Sequence, residues 1–158
     1  MDPMFFIKTY APKGAVIFIN YVFSLTGHFN PSIDKHAAIY YGIFCSEHLV
    51  IESTYNKVVR LIKLDDLLQG YLSVKVYILR EMDIMKTAAD NALSLLGIPY
   101  GFGTNRMYCF KLVADSYKRA GINVQSKRLL GKDIFLSQCF TEDSRWIKIY
   151  DSTNESFG

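Results

Sequence analysis

A chain of 158 residues, half of them apolar, is long enough for one compact domain spanning 1–158 and short for two. Its 18 basic and 15 acidic residues give a net charge of +3 with no run of Lys or Arg, which argues against nucleic-acid binding through a basic patch. Three cysteines (Cys45, Cys109 and Cys139) without Cys-x-x-Cys spacing argue against a disulfide scaffold or structural zinc, and favour free thiols in a reducing, cytoplasmic setting.

The start, Met-Asp-Pro-Met-Phe-Phe-Ile-Lys, has no basic stretch followed by an apolar core, so no secretion signal is expected. The longest apolar run, residues 15–25, is interrupted by Asn20 and is too short to cross a bilayer. Residues 14–21 are rich in β-branched and aromatic side chains and predict a buried strand. A polar loop containing Pro31 is expected over 26–35. Further strands are expected at 36–44, 49–55, 58–62 and 73–79, with tight connections at 45–48 and 56–57. The period then changes. Ile84, Met85, Ala88, Ala89, Ala92, Leu93 and Leu96 recur at helical spacing, and Gly97 and Pro99 stop that helix. A second helix is expected from an Asn105 N-cap to about Ala120. A short helical piece at 132–138, a strand at 146–150 and a polar, frayed tail complete the chain. A β-rich half followed by a helical half implies an α+β fold with an antiparallel sheet.

The loop Gly-Ile-Pro-Tyr-Gly-Phe-Gly at 97–103 precedes Cys109. Gly97, Gly101 and Gly103 permit unusual backbone angles and close approach by a substrate. A cysteine near a helix start meets unpaired N–H groups and the positive end of the dipole, which favour the thiolate. The competing reading is a cysteine that only packs in the core.

A Cys–His hydrolase also needs an imidazole in reach and a group that orients it. Of three histidines, His28 falls in the expected loop and His48 at a strand start, both surface positions. His36 opens an apolar strand and is the best base candidate, against the alternative of a core histidine. Glu52 stands alone in an apolar strand. A hairpin centred near residue 44 places it opposite His36, and one centred near 46 places it opposite Tyr40. Either register leaves His36 and Glu52 on one sheet face. A solvated face is the competing reading for Glu52. Glu47 and Asp34 look loop-bound and are weaker candidates. Tyr100 could donate to an oxyanion beside the Cys109 N–H, whereas Tyr108 reads as a packed aromatic. No metal-ligand or phosphate-loop spacing is present, so neither metal nor cofactor is expected.

The loop 97–103, Tyr108-Cys109, Leu112-Val113, Tyr117 and Gly121 together resemble the nucleophile motif of the NlpC/P60 superfamily of papain-like cysteine enzymes. The histidine precedes the cysteine here. That order is similar to the circularly permuted branch, which includes YiiX-like proteins and lecithin–retinol acyltransferase relatives. His36 to Gly42 matches that branch's His-x-x-Ile-Tyr-x-Gly strand, and Val50-Ile51-Glu52 its next strand. Nearly the whole chain is similar to the poxvirus member of the branch. One departure is Phe110, where many relatives have Ser after the cysteine. The resemblance implies a papain-like fold and a Cys109–His36–Glu52 triad with thioester chemistry. Tyr100 and Gly101 would bind substrate or oxyanion. The implied activity is a cysteine hydrolase or acyltransferase on amide or ester substrates, peptide or lipid. It would be a viral protein acting on host or virus targets in the host cytoplasm. The alternative is a binding protein that modulates a host partner without chemistry.

Overall fold

The computed structural model describes residues 1–22 and 30–155. The chain opens with α1 (Pro3–Tyr10), a helix the sequence reading does not anticipate. Its signal is local: the Asp2 side chain accepts a hydrogen bond from the Phe5 N–H at 3.1 Å, and Pro3 occupies the first turn. β1 (Val16–Tyr21) follows, and its residues Val16 to Ile19 are fully buried. A strand covered on both faces reads as a continuous apolar run, so the strong signal there reflects its central place. His28, residues 23–25 of the apolar run and 26–29 of the expected loop lie outside the described residues.

β2 (His36–Phe44) and β3 (Glu47–Glu52) form a hairpin through Cys45 and Ser46. β3 starts two residues earlier than expected, so Glu47 is a strand residue rather than a loop residue. Next come β4 (Arg60–Lys63), the short helix α2 (Leu64–Leu67) and β5 (Tyr71–Ile78). α3 (Met82–Leu93) buries Met85, Ala88, Ala89 and Ala92, the stripe its spacing predicts. α4 (Cys109–Lys118) carries seven buried residues, Cys109 and Tyr117 among them.

Both helix expectations after α3 fail. The second helix does not start at Asn105, which adopts a left-handed turn conformation with φ 59°. Tyr108 takes the N-cap position, so Cys109 is the first helical residue. Nor is 132–138 one helical piece. Leu130 and Gly131 form a tight turn that folds β7 (Lys132–Ile134) back on β6 (Lys127–Leu129), and the helical turn α5 (Gln138–Thr141) begins only afterwards. β8 (Ile147–Asp151) closes the main sheet, and a 3-10 turn at Ser152–Glu155 follows it. Ser152 Oγ accepts from the Val74 N–H at 2.9 Å, so this part of the tail is tied down rather than frayed.

The main sheet has the order β4-β3-β2-β1-β5-β8, and every neighbouring pair is antiparallel. α3 and α4 pack on each other and against β2. Gly14, just before β1, has φ +96°, and a Cβ there would lie 2.2 Å from the Met85 carbonyl oxygen. The buried Tyr117 hydroxyl donates to the Gly14 carbonyl at 2.5 Å. That junction fixes α4, and with it Cys109, against the strand layer that carries His36.

Candidate active site

The glycine loop reaches Cys109 on a set of backbone bonds. Val59 N–H donates to Ile98 O at 2.8 Å, and Gly97 N–H donates to Val59 O at 2.9 Å. Tyr100 N–H donates to Lys57 O at 3.0 Å, and Met107 N–H donates to Pro99 O at 2.9 Å. The loop is therefore stitched to the segment joining β3 and β4 and then to itself. Ser53, fully buried and next to Glu52, donates its hydroxyl to Met107 O at 2.7 Å. One short stretch of chain thus holds both the carboxylate and the approach to the cysteine.

Cys109 is 6 % exposed. As the first residue of α4 its backbone N–H has no acceptor within the helix. His36 is also buried; its ring is hydrogen-bonded to Glu52 and interacts electrostatically with Cys109. Glu52 Oε1 lies 2.9 Å from His36 Nε2, which leaves Nδ1 for the thiol. Burial opposes a charged imidazole, but these two partners outweigh it and raise the His36 pKa from 6.5 to about 9. Burial likewise opposes the Glu52 carboxylate, and hydrogen bonds from His36 and Arg60 overcome it to hold its pKa below the ordinary value.

The hairpin register lies between the two anticipated ones. Glu52 pairs with Ala38, and a bulge between Tyr40 and Gly42 shifts the remainder. Side-chain alternation still puts His36 and Glu52 on one face, as diagonal neighbours.

Arg60 completes the row, and the sequence reading missed it. Its Nε and Nη2 lie 2.9 and 2.8 Å from Glu52 Oε2. The expected two-residue turn at Asn56 and Lys57 would pair Glu52 with Leu61, and the observed connection, centred on Asn56, pairs it with Arg60. Ser53 carried no local signal, since its partner is a backbone carbonyl 54 residues away.

A cavity of about 620 Å³ opens over Cys109 and His36. Tyr100, Gly101, Phe102 and Phe110 line it, as do Phe135 and Leu136. Burial, then the charge of Cys109, pushes the Tyr100 hydroxyl up to about 12, so it keeps its proton at neutral pH. Tyr108 packs on Phe102 with ring centres 4.6 Å apart, and its hydroxyl accepts from the Phe135 N–H at 2.7 Å. Phe110 packs on Phe18 inside the core as well as facing the cavity, which places an apolar wall beside Cys109. His48 is partly exposed and takes a 2.6 Å bond with the Tyr40 hydroxyl. Asp34 is buried, pairs with Lys75 at 3.2 Å and does not line the cavity.

Residues 10–150 match the model of the permuted papain-like amidase enzymes of the YaeF/YiiX type. The chain belongs to that family. The poxvirus protein OPG091 of vaccinia virus (strain Copenhagen) is 68 % identical over 157 residues, covering 99 % of this chain and 95 % of that one. OPG091 of monkeypox virus is equally similar, with the same coverage. The crystal structure of the metalloprotein YiiX from Escherichia coli O157:H7 superposes with a TM-score of 0.74 at 17 % identity. That match covers 89 % of this chain and 97 % of YiiX. In this member of the family no group of three or more His, Cys, Asp or Glu among the described residues could hold a metal ion. No helix among them is long and apolar enough to cross a membrane.

Proposed function

We propose that the protein is a thiol hydrolase or acyltransferase working through Cys109, His36 and Glu52. The observation that carries this reading is Cys109 and His36 lining one apolar cavity, with the Glu52 carboxylate 2.9 Å behind the His36 ring. His36 already holds the proton drawn from the thiol, and Cys109 Sγ attacks the acyl carbon beside the imidazolium. The carbonyl oxygen becomes an oxyanion, facing the Cys109 N–H and the Tyr100 hydroxyl. The His36 imidazolium returns its proton to the departing amine or alcohol, leaving a thioester on Cys109. Water or an acyl acceptor, deprotonated by His36, attacks the thioester and regenerates the thiol. Glu52 fixes the imidazole tautomer and balances its charge. Arg60 holds Glu52, and Gly101, where a Cβ would meet the Arg106 side chain at 2.5 Å, lets Arg106 pack against the loop beside the substrate cavity. No acid lines the cavity among the described residues, and its rings suit an apolar acyl group on a peptide amide or lipid ester.

The test is turnover of a panel of chromogenic amides and esters by the wild-type protein and Cys109→Ala. The variant should keep its melting temperature and lose at least ~1000-fold in kcat/KM. Turnover that survives in Cys109→Ala would remove the nucleophile assignment.

A further inference from the structure

The β6–β7 hairpin stands at the cavity mouth and breaks two rules at one residue. Leu130, at its tip, is 96 % exposed. It also has φ 50°, a left-handed conformation that favours Gly or Asn. Five described non-glycine residues share that conformation, and Leu130 is the one large aliphatic side chain among them. A leucine strained in its turn and unburied in the fold points to a partner outside the chain where other exposed apolar side chains adjoin it.

Its neighbours indicate the partner's chemistry. Leu129 is 41 % exposed and lines the cavity mouth. Phe102 and Tyr55 line the same cavity and are 66 % and 59 % exposed. Lys127, Arg128 and Lys132 surround the tip against one acid of the hairpin, Asp133. The pairs Lys127–Glu142 and Arg128–Asp133 are exposed and solvated, so they hold those cations weakly. The charged side chains lining the cavity among the described residues, Lys35, His36 and Arg106, are all of basic type.

We propose that the tip of the β6–β7 hairpin docks the cavity mouth onto an anionic lipid bilayer. Leu130 and Leu129 enter the headgroup–acyl boundary, Phe102 and Tyr55 follow at the rim, and the cations face anionic headgroups. A protein partner fits less well. A tip of two leucines and two rings is small beside the ~800 Å² per partner of a stable complex. Shallow insertion plus a few cations suffices for reversible bilayer binding.

The test is flotation of the full chain with phosphatidylcholine vesicles, with and without phosphatidylserine, at low and high salt. Wild type should float with the anionic vesicles at low salt and stay in solution with neutral ones. Leu130→Asn should bind roughly tenfold or more weakly, from the lost burial of one leucine. Because Asn suits the turn, that variant should melt at or above the wild-type temperature. Cys109→Ala should float as wild type does, which separates docking from the catalytic reading. Wild type that ignores anionic vesicles, or Leu130→Asn that floats equally well, overturns the proposal. So does a soluble dimer that Leu130→Asn dissolves, since that would make the tip a protein interface.

Discussion

Glu52 Oε1 stands 2.9 Å from His36 Nε2 although the two residues are not cross-strand partners. A bulged hairpin sets them two positions apart on one face, and the longer glutamate side chain spans the diagonal. Glu52→Gln keeps the shape and removes the charge. The His36 pKa should then fall from about 9 toward 6.5, followed by NMR titration of the ring, and kcat should drop roughly 100-fold or more. An unmoved midpoint would remove Glu52 from its orienting role.

Arg60 acts one bond further out. The folded pKa of Glu52 is depressed, so its contribution to stability is present above the unfolded carboxylate value and is lost as pH falls through the folded one. Arg60→Met withdraws one of the two partners that hold it down. Its acid unfolding limb should begin at higher pH than that of the wild type, measured as melting temperature against pH. Superimposable acid limbs would show that Arg60 leaves Glu52 untouched.

The sign reverses for His36. Its folded pKa of about 9 lies above the unfolded value of 6.5. The stabilisation is therefore complete below about 6.5 and disappears as pH rises through about 9. Urea unfolding of the wild type should show stability falling across that interval, while His36→Gln should give a flatter profile. Parallel profiles would mean that the imidazole is not held protonated by its neighbours.

Gly14 is the least tolerant of the described glycines on geometric grounds. An added methyl would sit 2.2 Å from backbone oxygen and face a left-handed φ of +96°. Gly14→Ala should lose about 3 kcal/mol or more of stability in urea titration. Tyr117→Phe, which leaves the Gly14 carbonyl without its donor, should lose about 1–3 kcal/mol. A neutral Gly14→Ala would mean that α3 can move away from the start of β1 freely.

Much of this was legible in the sequence because its causes are local. The apolar run of β1, the helical stripe of α3 and the alternation placing His36 and Glu52 on one face all follow from periodicity. Where several weak signals competed, the reading failed. Asn105 suits an N-cap and a left-handed turn equally, and the backbone bonds of the 97–107 loop decided for the turn. The segment 132–138 has helical composition, yet the tight turn at Leu130 and Gly131 pairs its start with β6. Ser53 and the bulge at Tyr41 depend on contacts that no window of sequence contains.

The central claim is that Cys109 reacts because His36 activates it. Its most direct test is the alkylation rate of each cysteine with iodoacetamide, resolved by peptide mass spectrometry. Cys45 is exposed and serves as the internal reference, while Cys109 and Cys139 are buried. Burial alone ranks Cys45 first. Activation predicts that Cys109 is modified before Cys45 in the wild type and falls behind it in His36→Gln. Cys45 leading in the wild type, with Cys109 indifferent to the loss of His36, would contradict the account.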